Sequence, residues 1–312
     1  MEQNTLGILL SYYRTKYKLS MEQVIDGICS TSTLHRIENG GREVDSLVGE
    51  TLLGRIGKIA NEFEMMLGDE DYACWQVRMR LLKAMKQKDY EEAKKEIAIY
   101  RDMSVELPDV HRQFYLYYDG IIAIHENEST EKIWEIFSEA FYCTKKELNP
   151  RQLYSPLEMN IALKLIHFRY PAWKNDYRKI IDRLLFVAQH YYTGEEKESM
   201  QAEIWMELIY LTEEQETGSV LMTYIDRAID ALANGRRMKY LGELHFRKAR
   251  LIEECYHKTV EWSTQKTECK RECLMAYYVF EVMRKEKEQK ETQEFCEEKL
   301  GWHITEQEKL FD

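Results

Sequence analysis

Proline and glycine are scarce in this chain: four prolines and 14 glycines punctuate 312 residues. That scarcity excludes folds built on many tight turns and leaves room for long uninterrupted elements. No run approaches the roughly 20 consecutive apolar residues that a membrane-crossing helix needs, so no membrane partner is expected. The opening Met1-Glu2-Gln3-Asn4-Thr5 lacks the basic stretch and small-residue cleavage pattern of a secretory leader. The seven cysteines, odd in number and irregular in spacing, do not read as a disulfide framework and suit reduced thiols in a cytoplasm. Also missing are a Gly-rich phosphate loop, a nucleophile elbow and a kinase signature. His125-Glu126-Asn127 lacks the second histidine of a zinc-protease motif and reads as a helix end. No enzyme activity and no cofactor are expected.

What is present describes a foldable, helix-rich protein. Hydrophobic residues make up 44% and charged residues 32%, a balance that permits a packed core. Lys, Glu, Leu, Ala and Met, all good helix formers, fill the stretches between breakers. The 21 tyrosines point either to aromatic packing between helices or to an aromatic-lined groove. The net charge of −11 is unevenly spread. Residues 1–58 hold seven basic side chains (Arg14, Lys16, Lys18, Arg36, Arg42, Arg55, Lys58) and seven acidic ones (Glu2, Glu22, Asp26, Glu38, Glu43, Asp45, Glu50). The remainder carries the whole deficit. A neutral head on an acidic body gives only weak electrostatic support for contact with nucleic acid.

Along the chain, the first segment reads as short helices with tight joints. Thr5 caps a first helix with Leu6, Leu9, Leu10, Tyr13 and Tyr17 on one stripe. Ser20 and Gln23 form a capping-box pattern that starts a second helix bearing Val24 and Ile28. Ser30 caps a third, with Leu34 and Ile37 facing inward and Gly40-Gly41 as its stop. Asp45 or Ser46 starts another helix expected to run through Leu52, Ile56, Ile59 and Phe63. From Gly68-Asp69-Glu70-Asp71 onward, long amphipathic helices alternate with short breaks. Asp89–Ala93, Ser129–Ile133, Asn175–Lys179 and Thr217–Val220 read as starts of the second helices of hairpins. Their starts lie 40, 46 and 42 residues apart, a degenerate repeat with drifting register that signals stacked helix pairs, each burying its apolar face against its neighbours. A last hairpin is expected over Tyr240–Tyr256 and a helix from Thr264 to about Lys290.

The tract from Leu19 to Gly40, with Gly27-Ile28-Cys29-Ser30, Leu34 and Arg36-Ile37-Glu38-Asn39-Gly40, resembles the XRE/lambda-repressor-type helix-turn-helix. In particular it looks like the Rgg/PlcR-like regulators, which join such a head to tetratricopeptide-like repeats. The motif covers about 40 residues and is fairly specific; the repeat resemblance covers most of the rest and is loose. The resemblance implies double-stranded DNA as a partner. Short polar side chains at the start of a recognition helix suit major-groove base edges, which nominates Thr31, Ser32, Thr33 and His35. The same cluster also serves as an ordinary N-cap. Lys16, Lys18, Ser20, Arg36 and Arg42 are the expected phosphate contacts, although Arg36 equally suits a solvated surface position. The resemblance further implies a structural ion pair between Arg14 and Glu38. One departure stands out: Met21 occupies the place where many relatives carry a glutamine that reaches the DNA backbone.

The resemblance also implies a short peptide ligand on the concave face of the repeats, often held by asparagines, which donate and accept together. Few are available, and Asn160, with Tyr118 among the aromatic residues, is the expected pocket contact. Cys269 and Cys273 share a helix face near Cys255 and His257, a set that could in principle bind zinc, but they fall on an apolar stripe with Ala276, Tyr277 and Phe280. No metal is expected. The reading is an all-α protein: a helix-turn-helix domain over residues 1–66, then a tetratricopeptide-like helical-repeat superhelix over 67–312 that senses a ligand and dimerises. It points to a cytoplasmic, peptide-responsive transcription regulator acting as a homodimer. The rival reading is a helical-repeat interaction scaffold with a degenerate head.

Overall fold

The computed structural model describes residues 5–42, 44–58, 69–149, 151–168, 177–235 and 238–304. Among them every regular element is helical. The chain divides into two compact units, Met1–Tyr192 and Thr193–Asp312.

Unit one holds α1 (Thr5–Lys16), α2 (Met21–Ile25), α3 (Thr31–Glu38), α4 (Ser46–Arg55), α5 (Asp69–Gln87), α6 (Tyr90–Met103), α7 (Asp109–His125), α8 (Thr130–Tyr142), α9 (Pro156–His167) and α10 (Tyr177–Tyr191). α1 begins at Thr5 itself, so the cap expected there falls one residue earlier, outside the described residues. Ser20 and Gln23 form a reciprocal capping box at the start of α2, and the Ser30 hydroxyl accepts from the Thr33 N–H at 3.2 Å to start α3. α3 stops where Gly41 N–H returns to Arg36 O at 2.8 Å and Gly40 N–H to Ile37 O at 3.0 Å, a Schellman pattern that satisfies the last carbonyls.

α4 is shorter than the apolar pattern predicts. It is capped by Asp45 but ends at Arg55, because Gly57 adopts φ +70° and Lys58 N–H bonds back to Leu53 O at 2.9 Å. Ile56 is buried beyond the helix end, whereas Ile59 and Phe63 lie outside the described residues. α5 packs on α6 and α7 on α8, and α9 lies against α4, α7 and α8.

Leu10, Leu34, Ile37, Leu52, Leu53 and Ile56 are fully buried and share one cluster with Val77, Leu81, Ile97, Tyr100, Val110 and Phe114 from the repeats. Each such side chain contributes about 1.5–3 kcal/mol by leaving water. The expected boundary after residue 66 falls outside the described residues, and this core runs from the head into the first repeats.

Unit two holds α11 (Gly194–Thr212), α12 (Gly218–Asn234), α13 (Leu241–Tyr256), α14 (Trp262–Val282), α15 (Glu286–Phe295) and a π-helical turn, Cys296–Leu300. The helix expected to reach Lys290 is broken: Arg284 takes φ +54° and Lys285 N–H closes on Phe280 O at 2.9 Å, so α14 ends and α15 begins. Cys269 and Cys273 are buried beside Cys296, Leu300 and Trp302, and the Cys269 thiol donates to Ala249 O at 3.2 Å. They are core residues here, while Cys255 is exposed. No helix among the described residues is long and apolar enough to cross a membrane.

Candidate nucleic-acid interface

α3 is two-faced. Leu34 and Ile37 are fully buried, and Thr31, Ser32, His35 and Arg36 form an exposed strip on the other side, with Thr33 half-buried. The Ser30 hydroxyl lies 2.9 Å from both the Ser32 and the Thr33 hydroxyls, so the cap also orders the first turn. Asn39 donates to His35 O at 2.8 Å and its amide sits 3.2 Å from His35 Nε2.

Lys16, Lys18, Ser20, Arg36 and Arg42 are all exposed. Lys16 lies 5.8 Å from the rings of both Tyr12 and Tyr13. Lys18, two residues past the end of α1, adopts the left-handed region, φ +55°, a conformation that costs a non-glycine residue about 1–2 kcal/mol. Met21 is half-buried against the core, so its side chain packs inward.

α3 is pinned to α1 by a two-pronged ion pair. Arg14 Nε and Nη2 donate to the two carboxylate oxygens of Glu38 at 2.6 and 2.8 Å, and Nη1 reaches Leu19 O at 3.3 Å. The bond to Glu38 raises the arginine pKa further. Such fork-on-fork geometry fixes orientation as well as adding energy.

The neutrality of the head conceals a segregation of charge. Asp26 accepts from Gln152 Nε2 at 3.0 Å and lies 3.7 Å from Lys145. Asp45 pairs with His111 at 2.8 Å, and Glu50 with Arg78 at 3.0 Å. Together with Glu38, four of the head's carboxylates are therefore occupied within the protein, three of them by residues of the repeats. Four cations of the same segment (Lys16, Lys18, Arg36, Arg42) stand at the surface.

A buried network joins the head to the repeats and was not foreseen from the sequence. Arg55, fully buried at the end of α4, donates to Glu158 Oε2 and Oε1 at 3.0 and 2.5 Å. It also donates to the terminal carbonyls of α2, Val24 O at 2.9 Å and Asp26 O at 2.7 Å. Glu158 further accepts from the Thr144 hydroxyl at 2.7 Å and from Ser155 N–H at 2.8 Å. Burial alone would raise the Glu158 pKa, but Arg55 and Lys145 outweigh it and hold the carboxyl at about 2. Lys145, also buried, donates to Leu153 O at 2.8 Å, and desolvation pulls its ammonium down to about 8. The turn between α2 and α3 rests on the same place. Gly27 has φ +71°, and a Cβ there would stand 1.9 Å from Thr144 O. The capping pattern Ser155-Pro156-Leu157-Glu158 was the one available signal, and it marks a helix start without naming Arg55 as its partner.

The expected peptide contacts fall on neighbouring helices, Tyr118 on α7 and Asn160 on α9. Asn160 is half-buried. Tyr118 packs its ring against Phe114 at 5.1 Å and Tyr117 at 5.0 Å, and burial pushes its hydroxyl up to about 12. In unit two a cavity of about 470 Å³ opens among α12, α13 and α14. Four of its charged or titratable lining residues are mutually paired: Lys248 lies 2.8 Å from both Asp226 and Glu272, and His245 lies 2.5 Å from Glu272.

No protein-family model matches the chain, and no curated protein matches it in sequence. Among solved structures it is similar to PlcR of Bacillus thuringiensis, crystallised in complex with the peptide PapR7 and DNA, at 16% identity and a TM-score of 0.50 over 93% of this chain and 99% of that one. ComR from S. thermophilus, in complex with DNA and its signalling peptide ComS, shares 16% identity at a TM-score of 0.42, covering 93% and 98% of the two chains. Rgg2, the SHP pheromone receptor of Streptococcus dysgalactiae, shares 13% identity at 0.39, covering 93% and 97%. The likeness to PlcR is one of fold: a helix-turn-helix followed by tetratricopeptide-like helical repeats, which is the architecture of this chain.

Proposed function

We propose that the chain is a sequence-specific, DNA-binding transcription regulator of the cytoplasm, tuned by a short peptide and acting as a homodimer. Residues 1–66 form the reading domain, and residues 67–312 sense the peptide and dimerise. The observation that carries the reading is the α3 strip. Thr31, Ser32 and His35 are exposed on a helix whose other face is buried, Arg36 stands beside them, and Glu38 and Asp45 are paired within the protein. In the reading, Thr31, Ser32, Thr33 and His35 meet base edges, and Lys16, Lys18, Ser20, Arg36 and Arg42 meet phosphates. Arg14 and Glu38 hold the helix in place. PlcR, whose fold this chain shares, was crystallised with a peptide and DNA, which supports both ligands here.

One recognition helix covers few base pairs, and two-fold proteins gain selectivity by reading paired half-sites about one helical turn apart. The peptide is assigned to the repeat helices, with Asn160 and Tyr118 as contacts. It changes DNA affinity only through a preference for one arrangement of the protein over another. Screening short apolar-rich peptides tests this part: a binder raises the melting temperature and shifts DNA affinity, and Asn160→Ala reduces both effects. A screen without thermal shift, alongside normal DNA binding, contradicts it. The reading as a whole is tested by sequencing DNA fragments enriched by the full-length protein. A scaffold with a degenerate head yields no enriched sequence.

A further inference from the structure

We infer that the cavity among α12, α13 and α14 is a binding site for a linear aliphatic diamine or polyamine. It lies wholly in the second compact unit, whereas the proposed peptide contacts Asn160 and Tyr118 belong to the first. At about 470 Å³ it holds far more than a water molecule, which takes about 30 Å³, and falls in the range of small-molecule sites.

The charges around the cavity do not balance. Asp226 and Asp230 stand one turn apart on α12, and Glu268 and Glu272 one turn apart on α14. Against these four carboxylates the lining sets two permanent cations, Lys248 and Arg271, an excess of two negative charges. Lys248 reaches Asp226 and Glu272 at 2.8 Å and Glu268 at 3.7 Å, and Arg271 approaches Glu268 at 3.7 Å. Asp230 has no ion-pair partner among the described residues.

A second observation is independent of that excess. His245 lines the cavity yet is only 7% exposed, and its Nδ1 lies 2.5 Å from Glu272 Oε2. Burial alone would raise the Glu272 pKa, but the bonds from His245 and Lys248 outweigh it and hold the carboxyl below its usual range. An ionised carboxylate only accepts, so Nδ1–H is the donor, and in the neutral ring Nε2 is left as an acceptor. Nothing among the described residues meets that nitrogen. Polar atoms of nearly buried side chains are ordinarily partnered, and the cavity is where a partner can stand.

Together these features select the ligand. An imidazole acceptor beside surplus carboxylates is complementary to a cation that carries N–H donors. No group of three His, Cys, Asp or Glu side chains among the described residues is placed to hold a metal ion, so the fitting cation is organic. Two ammonium groups match the excess of two, and Ile229 and Met275, the apolar members of the lining, suit the methylenes between them.

Calorimetric titration of the full-length protein with 1,4-diaminobutane tests the inference, with melting temperature as the check on folding. The wild type is expected to bind one equivalent and to melt higher when loaded. Butylamine, with one ammonium, should bind at least about tenfold more weakly, and magnesium chloride at matched ionic strength should not displace the diamine. Asp230→Asn alters an exposed, unpaired side chain, so it should melt as the wild type does and raise Kd about tenfold. His245→Phe keeps a ring and removes both nitrogens; it should lose binding below its own melting point, and if it does not fold, Asp230→Asn decides. Absence of binding by the wild type, equal affinity for butylamine, displacement by magnesium, or an unchanged Kd in Asp230→Asn overturns the inference. None of these results bears on the DNA reading, whose residues lie in the head.

Discussion

Arg55 and Glu158 stand 103 residues apart in the chain, yet each is fully buried against the other. Two ions out of water are tolerable only when every polar atom finds a partner, and here Arg55 is shared between Glu158 and two α2 carbonyls. Removing one partner leaves an uncompensated buried charge, a loss of about 3–5 kcal/mol. Glu158→Gln is therefore expected to lower the urea midpoint strongly, and a midpoint within error of wild type contradicts this account of the network. The pH dependence follows from the direction of the shift. Arg55 and Lys145 hold the folded-state pKa of Glu158 at about 2, below its ordinary 4.5. Its contribution is thus fully present above pH 4.5 and is lost as pH falls from 4.5 towards 2. Lys145 acts with the same sign in a different interval: its folded-state pKa near 8 lies below its ordinary 10.5, so stability again gains as pH rises from 8 to 10.5. In Glu158→Gln the acid loss between pH 4.5 and 2 should flatten, and an unchanged acid limb would assign that loss to other carboxylates.

At the scale of the element, α4 is clamped at both ends by the repeats. Its cap Asp45 is held by His111, and Ser46 binds Asp71 through its N–H at 3.0 Å and its hydroxyl at 2.7 Å. Its last residue, Arg55, is held by Glu158. The α2–α3 turn is held against the same body at Gly27, where a side chain would meet Thr144 O. Gly27→Ala is expected to destabilise by more than the ~1 kcal/mol of an ordinary glycine replacement, because left-handed φ and a backbone collision coincide. Thermal melting of the full-length variant checks this, and an unchanged melting point would show that the turn is not seated there. These elements also show what the sequence could and could not reveal. Ser20, Ser30 and Asp45 cap as their local patterns predict, because a cap is decided within four residues. The end of α4 and the break after Val282 were missed. An apolar stripe continues past Gly57, and past Met283 a run of helix-forming Lys and Glu gives no stop signal, while the backbone turns left-handed at Gly57 and Arg284. The exposed polar strip of α3 was legible from residue type and spacing; the Arg55–Glu158–Lys145 network was not, since only the packing of α4 on α9 brings its members together.

At the scale of the molecule, one apolar cluster includes side chains from both the head and the first repeats. A fragment ending at residue 66 would expose the repeat-facing side of that cluster and strip Arg55 of Glu158. It is expected to lack cooperative melting, whereas a fragment ending at Tyr192, the limit of the first compact unit, is expected to retain it. Two fragments that melt alike would contradict the shared core. The central claim, that the α3 strip reads DNA, is tested most directly by one titration. A duplex enriched from genomic fragments is bound by wild-type protein, Arg36→Ala, Ser32→Ala and His35→Ala across a range of salt, beside an unrelated duplex. The account predicts that wild-type affinity falls steeply with salt. Arg36→Ala should weaken both duplexes and reduce the salt slope by about one, whereas Ser32→Ala and His35→Ala should narrow the preference for the enriched duplex. Affinity that does not depend on salt, or three variants that bind both duplexes as the wild type does, would contradict it.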